Sequence, residues 1–447
     1  MHVIGTAGHV DHGKSTLIEA LTGIHPDRLK EEKQREMTID LGFGWLSLLD
    51  GREVGLVDVP GHIDFIGNLL SGIGGIDAVL FVIAANEGIM PQTREHEAIV
   101  RLLQIPDGII VLTKTDLVED QEWLQLIKDE IRELFTDSAL ADAPIVEVSA
   151  VTGQGIEELR IEITRLVDTL LDKPDLKRPR LPIDRVFQLP GIGTVVTGTL
   201  QDGSFSVGDS VLVYPQEKSG RIREIQTHQK KLDNIAPGNR VALNISGISK
   251  EDIQRGDIVA HTDCYEPTQR LDVWIKMADG LSKPLSHNTT ARFYIGAKEV
   301  KARIRVLGAQ KLQPTDEGFM QLELAEPVVA MKDDRFILRR YSPGETIGGG
   351  IVLNAHPIGR HKRFAEDVLE KLQHLQERDP ENLITSLLLE NGPLLPAQLC
   401  GMANYSDAKM LEILIALHEK GDLIALTDAV DNLNENSLVV HQLFWQQ

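Results

Sequence analysis

Two cysteines, Cys264 and Cys400, are all that the 447 residues contain. So few, so far apart, make neither a disulfide framework nor a cysteine-based zinc site. Positive charge is also scarce. Lys and Arg number 46 against 67 Asp and Glu, a formal net charge of −21. Such a chain is not a general binder of polyanions, and any contact with RNA has to come from local basic patches. No apolar run reaches the roughly 20 residues that cross a bilayer. Met1 leads almost at once into the apolar pair Val3-Ile4, with no room for a signal peptide. No low-complexity tract is present. These absences predict a soluble, cytoplasmic protein with no membrane partner. The length predicts three or four domains.

What is present begins at residues 5–16, Gly-Thr-Ala-Gly-His-Val-Asp-His-Gly-Lys-Ser-Thr. Gly8 to Ser15 fit G-x-x-x-x-G-K-[ST], the loop whose backbone N–H groups cradle phosphates. Gly8, His9, Val10, Asp11, His12 and Gly13 form the turn. Lys14 is placed to reach the β- and γ-phosphates, the Ser15 hydroxyl to ligate Mg²⁺. Thr16 onward reads as a helix whose positive end faces the same phosphates. A strand before the loop and a helix after it are the context the motif requires.

Strand candidates 2–5, 52–58, 78–84, 108–113 and 145–148 alternate with helix candidates 14–22, 63–73, 92–104, 121–136 and 156–171. This predicts a doubly wound α/β domain over residues 1–173. Four further stretches bear on a nucleotide. Thr38, in Arg-Glu-Met-Thr-Ile-Asp (35–40), is a candidate to ligate Mg²⁺ and sense a γ-phosphate. Asp58-Val-Pro-Gly-His62 ends an apolar strand. There Asp58 would hold a water on Mg²⁺, Gly61 would offer its N–H to the γ-phosphate, and His62 would face the attacking water. Thr113-Lys-Thr-Asp116 supplies a carboxylate for the guanine N1–H and N2–H₂ edge, with the Lys114 stem over the base. Thr113 stands where the commoner pattern has Asn, so the bridging role of that Asn is open. A backbone N–H at Ser149-Ala150 is a candidate donor to guanine O6. The predicted cofactors are GTP and Mg²⁺.

After an extended, proline-rich linker (172–182) the pattern changes to short strands with Gly turns. Strands at 183–188, 193–200, 210–213, 221–227, 240–246 and 257–260 predict a β-barrel over 180–266. Strands at 270–276, 289–295, 298–307, 318–324 and 335–341 predict a second over 267–358. Residues 359–447 return to helical periodicity, with Phe364 to Leu375, 382–390, 394–402 and 406–420. Helix, turn, helix, strand predicts a winged-helix-like segment, with Ser406 as a helix cap. Residues 440–447 read as a helix cut short.

The Gly-His-Val-Asp-His-Gly-Lys loop, the Asp-x-Pro-Gly-His box and Thr38-Ile-Asp resemble the translational GTPases of the elongation factor Tu family. The resemblance implies GTP hydrolysis, with His62 positioning the water behind an apolar gate of Val10 and Met37, and Asp11 supporting the phosphate loop and a monovalent ion. The two barrels fit that family's plan. With Thr38-Ile-Asp-Leu-Gly-Phe43, Gly348-Gly-Gly-Ile-Val-Leu353 and the tail, the chain most closely resembles the bacterial selenocysteine-specific branch. That branch implies selenocysteinyl-tRNA and the ribosome as partners. It also implies an mRNA hairpin bound by a longer tail of winged helices, of which this chain has room for about one, so that either the sequence is a fragment or its mRNA recognition is absent or different. By the same resemblance Asp184, Arg185 and Arg240 form an aminoacyl pocket. A selenol is more acidic than a thiol or an alcohol, so a positive pocket suits its anion. Two basic groups (Lys218, Arg221, Arg223, His228, Lys230, Lys231; and Lys298, Lys301, Arg303, Arg305) are either solvated strand edges or contacts for tRNA phosphates. General aminoacyl-tRNA delivery and the GTPase subunit of a sulfate-activating enzyme stay open as alternatives.

Overall fold

The computed structural model describes residues 2–25, 41–61, 67–68, 75–171, 175–228, 230–342, 344–376, 379–425 and 437–445. Thr38, Met37, His62 and most of the helix expected at 63–73 lie outside these residues.

The first domain is a six-stranded sheet with helices packed on both faces. Its elements are β1 (Val3–Ala7), α1 (Lys14–Thr22), β2 (Gly42–Ser47), β3 (Glu53–Asp58), β4 (Ala78–Ala84), α2 (Pro91–Leu102), β5 (Gly108–Thr113), α3 (Gln121–Phe135), β6 (Ile145–Glu147) and α4 (Ile156–Thr169). The order is β2-β3-β1-β4-β5-β6. The strands run parallel, except that β2 pairs antiparallel with β3 at one edge. β4 and β5 are buried along their whole length. They therefore read as unbroken apolar runs, as strands covered on both faces do. The chain leaves β1 towards one side of the sheet and leaves β3 towards the other, so the crevice at their carboxyl ends is a topological switch point. β2 was not among the expected strands. It alternates Gly42, Gly44 and Leu46 inward with half-buried Phe43 and Trp45, and its two glycines weaken the strand signal.

Two barrels follow. The first closes through Ser210–Tyr214, Ile258–His261, Leu181–Leu189, Gly193–Thr199, Arg240–Ser246 and Lys218–Thr227, the last pairing back on Ser210–Tyr214. The second closes through Thr268–Met277, Glu317–Val328, Lys298–Leu307, Thr290–Ile295, Arg335–Arg339 and Thr346–Asn354. Five strands were expected there; Thr346–Asn354 is the sixth. Its Gly348-Gly-Gly run hides it, because glycine is a poor strand former. The glycines answer a close approach of backbones. A Cβ on Gly350 would sit 1.9 Å from the Trp274 carbonyl oxygen.

The linker is tied down where it is described. Arg180 makes a two-pronged pair with Asp334, 2.7 Å on each side, and Arg178 donates to Asn404 at 2.7 Å. Lys298 does not share an outward face with Lys301 and Arg303. It is buried against fully buried Asp257 at 3.0 Å, which joins the two barrels. The first domain meets the second barrel through α2, with Arg339 on Glu95 at 2.8 Å and Arg101 on Asp279 at 2.6 Å.

The tail has α5 (Glu366–Gln376), α6 (Pro380–Asn391), α7 (Pro396–Ala403) and α8 (Asp407–Glu419), then an antiparallel pair of Leu423–Ala425 with Val439–His441. This is the helix, helix, strand-pair order of a winged helix. Ser406 caps α8 by accepting the Lys409 N–H. Val439–His441 begins as a strand, and only Gln442–Trp445 is helical. The two β-branched valines favour pairing with Leu423–Ala425 over continuing a helix. The tail shares a core with the second barrel, where Leu307, Ile351 and Leu353 pack among Leu372, Leu399 and Leu414.

Candidate nucleotide site and a second site at the barrel interface

The phosphate-type loop joins β1 to α1 at the switch point. Gly13 stands just before α1 with φ 84°, and Asp11 in the loop has φ 63°. Lys14 lies buried in the loop's hollow and donates to the Gly8 and His9 carbonyls at 3.1 and 2.7 Å. Burial pulls its pKa down to about 8, against the raising pull of Asp58 and Asp11. An ammonium held on carbonyls, with its charge desolvated, is an anion site in waiting. Gly61 closes on it from the end of β3. A Cβ there would come within 2.4 Å of Lys14 Nζ and 2.7 Å of the Val10 nitrogen, so no larger residue fits at that position.

Asp58, at the end of β3, is fully buried and accepts from Thr6 Oγ1 at 3.0 Å, while Thr6 Oγ1 accepts the Val59 N–H at 3.1 Å. Ser15 is half-buried in the first turn of α1 and Thr16 beside it is exposed. A hydroxyl and a carboxylate are the hard oxygen donors that Mg²⁺ takes. Among the described residues no group of three His, Cys, Asp or Glu could hold a metal.

The base end lies at the carboxyl ends of β5 and β6. Thr113 Oγ1 donates to the His12 carbonyl at 2.7 Å. The shorter hydroxyl thus bridges base loop to phosphate loop, the role the sequence left open. Lys114 is left-handed (φ 57°) and pairs with Glu87 at 3.0 Å. Asp116 is exposed in a short turn after it. Ser149 is buried and its N–H is engaged by the Gln154 carbonyl at 3.0 Å. That removes Ser149 N–H as an O6 donor and leaves half-buried Ala150 as the next residue of the turn.

Two residues that hold the loop were not among the sequence candidates. His96 on α2 is buried, and its Nδ1 accepts the Gly8 N–H at 2.9 Å. Gln92 Oε1, four residues earlier, accepts the Val10 N–H at 3.2 Å. Helix α2 therefore braces the loop from one face. The signal available was Pro91-Gln-Thr-Arg-Glu-His96, with Gln92 and His96 at i, i+4 spacing. Burial holds the His96 pKa well below its ordinary value and pulls His12 down to about 4. Both rings are neutral near pH 7 and add no positive charge beside Lys14.

The second site lies where the first barrel meets the first domain. Asp184 is buried and takes the Arg240 guanidinium in a fork at 2.6 and 3.0 Å, and also accepts from Thr197 Oγ1 at 2.7 Å. Arg185 donates to the Leu41 carbonyl. Side chains at neighbouring positions of a strand point to opposite faces, and a register shift between Ile183 and Arg185 adds to the separation. Both guanidiniums nevertheless converge on the ring of Phe43, with their carbons 3.3 Å (Arg240) and 4.8 Å (Arg185) from its centroid.

Of the first basic group, Lys218, His228, Lys230 and Lys231 each pair with a carboxylate, at 3.4, 3.0, 2.9 and 2.6 Å. The carboxylates are three, Asp252, Glu224 and Glu53, the last shared by His228 and Lys230. Lys301 and Arg303 remain outward on the second barrel.

Residues 1–172 match the model of the elongation factor Tu GTP-binding domain, 193–260 that of elongation factor Tu domain 2, and 268–358 that of the selenocysteine-specific elongation factor β-barrel domain. The chain is 42% identical over 388 residues to the selenocysteine-specific elongation factor of Desulfomicrobium baculatum, covering 86% of this chain and 60% of that protein. Against the selenocysteine-specific elongation factor of Escherichia coli (strain K12) it is 35% identical over 413 residues, 92% of this chain and 65% of that one. It thus spans under two thirds of the length of these relatives. A crystal structure of a bacterial selenocysteine-specific elongation factor superposes with TM-score 0.76 at 28% identity, over 99% of this chain and 80% of the other. The structure of translation elongation factor SelB from Methanococcus maripaludis with the GTP analogue GppNHp superposes with TM-score 0.69 at 30% identity, over 80% of each.

Proposed function

The chain belongs to the family of selenocysteine-specific elongation factors, translational GTPases, and from that premise we propose that it carries selenocysteinyl-tRNA to the ribosome at recoded UGA codons and hydrolyses GTP there. The observation that carries the substrate reading is the convergence of Arg185 and Arg240 on one place, the ring of Phe43, beside Asp184. A guanidinium makes a charge-assisted contact with a selenolate and is poorly matched to a neutral serine hydroxyl. Asp184 orients Arg240 and leaves Arg185 to the second contact.

At the nucleotide, the loop from Gly8 to Ser15 holds the phosphates, with Lys14 on the β- and γ-groups. Asp116 reads the guanine edge, Lys114 covers the base, Thr113 ties the two loops, and the turn at Ser149 and Ala150 meets O6 through Ala150. Ser15, Thr38 and Asp58 would hold Mg²⁺, which neutralises developing phosphate charge when bound. His62 orients the attacking water, with Gly61 at the γ-phosphate. Replacing His62 by Ala is expected to slow ribosome-stimulated hydrolysis by about 10²-fold or more while GTP affinity stays within a few-fold. Unchanged single-turnover hydrolysis would remove His62 from the reaction.

The substrate reading is tested by binding of selenocysteinyl-tRNA and seryl-tRNA, with GTP and with GDP, at one salt concentration. We expect GTP-dependent binding with at least about tenfold preference for the selenocysteinyl form. Equal affinity for the two tRNAs would sink it.

A further inference from the structure

The two arginines of the barrel site are covered in this structure. Phe43, on β2, lies under both guanidiniums, and Arg185 is also bonded to Leu41 one residue beyond Gly42. The cavity left among Leu41, Phe43, Asp184, Thr199 and Arg240 is about 20 Å³. That holds one water and no amino-acid side chain. An aromatic face carries the negative part of the ring quadrupole, so it gives a guanidinium a weak substitute for an anion. We propose that Phe43 is a competing occupant of the Arg185–Arg240 pair and that the aminoacyl group enters when β2 withdraws it. The proposal rests on the reading of this pair as the aminoacyl site.

The register ties this occupant to the nucleotide. Phe43 pairs opposite Val57, and Gly42 opposite Asp58. A shift of β2 against β3 at Asp58, the carboxylate assigned to Mg²⁺, moves Phe43 one residue away. β2 is the edge strand with a single neighbour. Gly42 and Gly44 flank Phe43 and have no side chains to pin the strand. Displacement of the edge costs less than displacement of β1 or β4, which are paired on both sides. The ring competes alike with every side chain. Phe43 therefore sets when the site opens, and the arginines set what enters.

Two measurements test it. The first is the affinity of selenocysteinyl-tRNA with GTP and with GDP for wild type, Phe43→Leu and Phe43→Tyr. Leu keeps apolar packing but loses the ring; Tyr keeps the ring. We expect Phe43→Leu to tighten the GDP-state complex about tenfold and the GTP-state complex less than about threefold, with Phe43→Tyr like wild type. An unchanged ratio between the two states in Phe43→Leu overturns the proposal. The second needs no tRNA. Phenylglyoxal modifies accessible guanidiniums, and its rate at Arg240 in the GDP state is expected to rise at least about threefold in Phe43→Leu. Equal rates at Arg240 overturn the occupancy. If wild type binds no selenocysteinyl-tRNA while the labelling rate rises, the substrate reading fails and the occupancy by Phe43 stands.

Discussion

Thr113 carries one hydroxyl that joins the base loop to the phosphate loop, and Thr113→Val tests that hydroxyl with little change of shape. It leaves the buried His12 carbonyl without its donor. We expect GDP to bind about 5–30-fold more weakly by calorimetry, the cost of about 1–2 kcal/mol for a lost buried hydrogen bond. Thr113→Asn, which keeps a donor, is expected to recover part of the loss. Lys14 gives the pH dependence. Its pKa in the free protein is held near 8 by burial, and an anionic phosphate raises it. Below about pH 7 the amine is protonated in both states and binding moves no proton. Near pH 8.5 the free amine is largely neutral and the bound one charged, so binding takes up a proton and affinity falls as pH rises. Calorimetry in two buffers of different ionisation enthalpy measures this; no uptake at about pH 8.5 would contradict the assignment. At this scale the placing of Lys14 in the loop before a helix and of Asp58 at the end of an apolar strand was legible in the sequence. His96 was not legible, because a buried histidine on a helix looks the same whether it fills a core or holds a loop N–H.

Helix α2 and the strand Thr346–Asn354 show what happens at the next scale. α2 holds the loop through His96 and Gln92, and it also binds the second barrel through Glu95 and Arg101. His96→Phe fills the space but leaves the Gly8 N–H without an acceptor. We expect a loss of about 1–3 kcal/mol of stability in urea, with weaker nucleotide binding. In Thr346–Asn354 the glycines are needed for approach of backbones, so Gly350→Ala forces a Cβ against the Trp274 carbonyl. We expect about 2–4 kcal/mol of destabilisation by thermal melting; an unchanged melting temperature would mean that the strand can move away. Most strands with a period of two, and the helices with apolar stripes among the described residues, were read within one or two residues; Lys218–Thr227 begins three residues before the expected 221, and Glu317–Val328 runs four past the expected 324. β2 and the sixth strand of the second barrel were not, because glycine at alternate or successive positions erases the side-chain pattern on which such readings depend.

For the whole molecule, the order of a GTPase domain, two barrels and a helical tail was legible from changes of period along the chain. How the domains meet was not. Arg180 with Asp334, Lys298 with Asp257, and Phe43 beneath two arginines join residues far apart in sequence, and no local pattern marks such pairs. These contacts put the nucleotide loop, β2 and the proposed aminoacyl site in one connected body, which the central claim requires. The claim is that this body chooses its tRNA by the charge of the attached amino acid. The most direct test is the affinity of selenocysteinyl-tRNA and seryl-tRNA, with GTP at fixed salt, for wild type, Arg185→Ala and Arg240→Ala. The account predicts that either substitution weakens selenocysteinyl-tRNA binding by about tenfold or more and seryl-tRNA binding far less, so that the two affinities converge. Equal losses for both tRNAs would show that the arginines bind only the tRNA body, and would contradict the account.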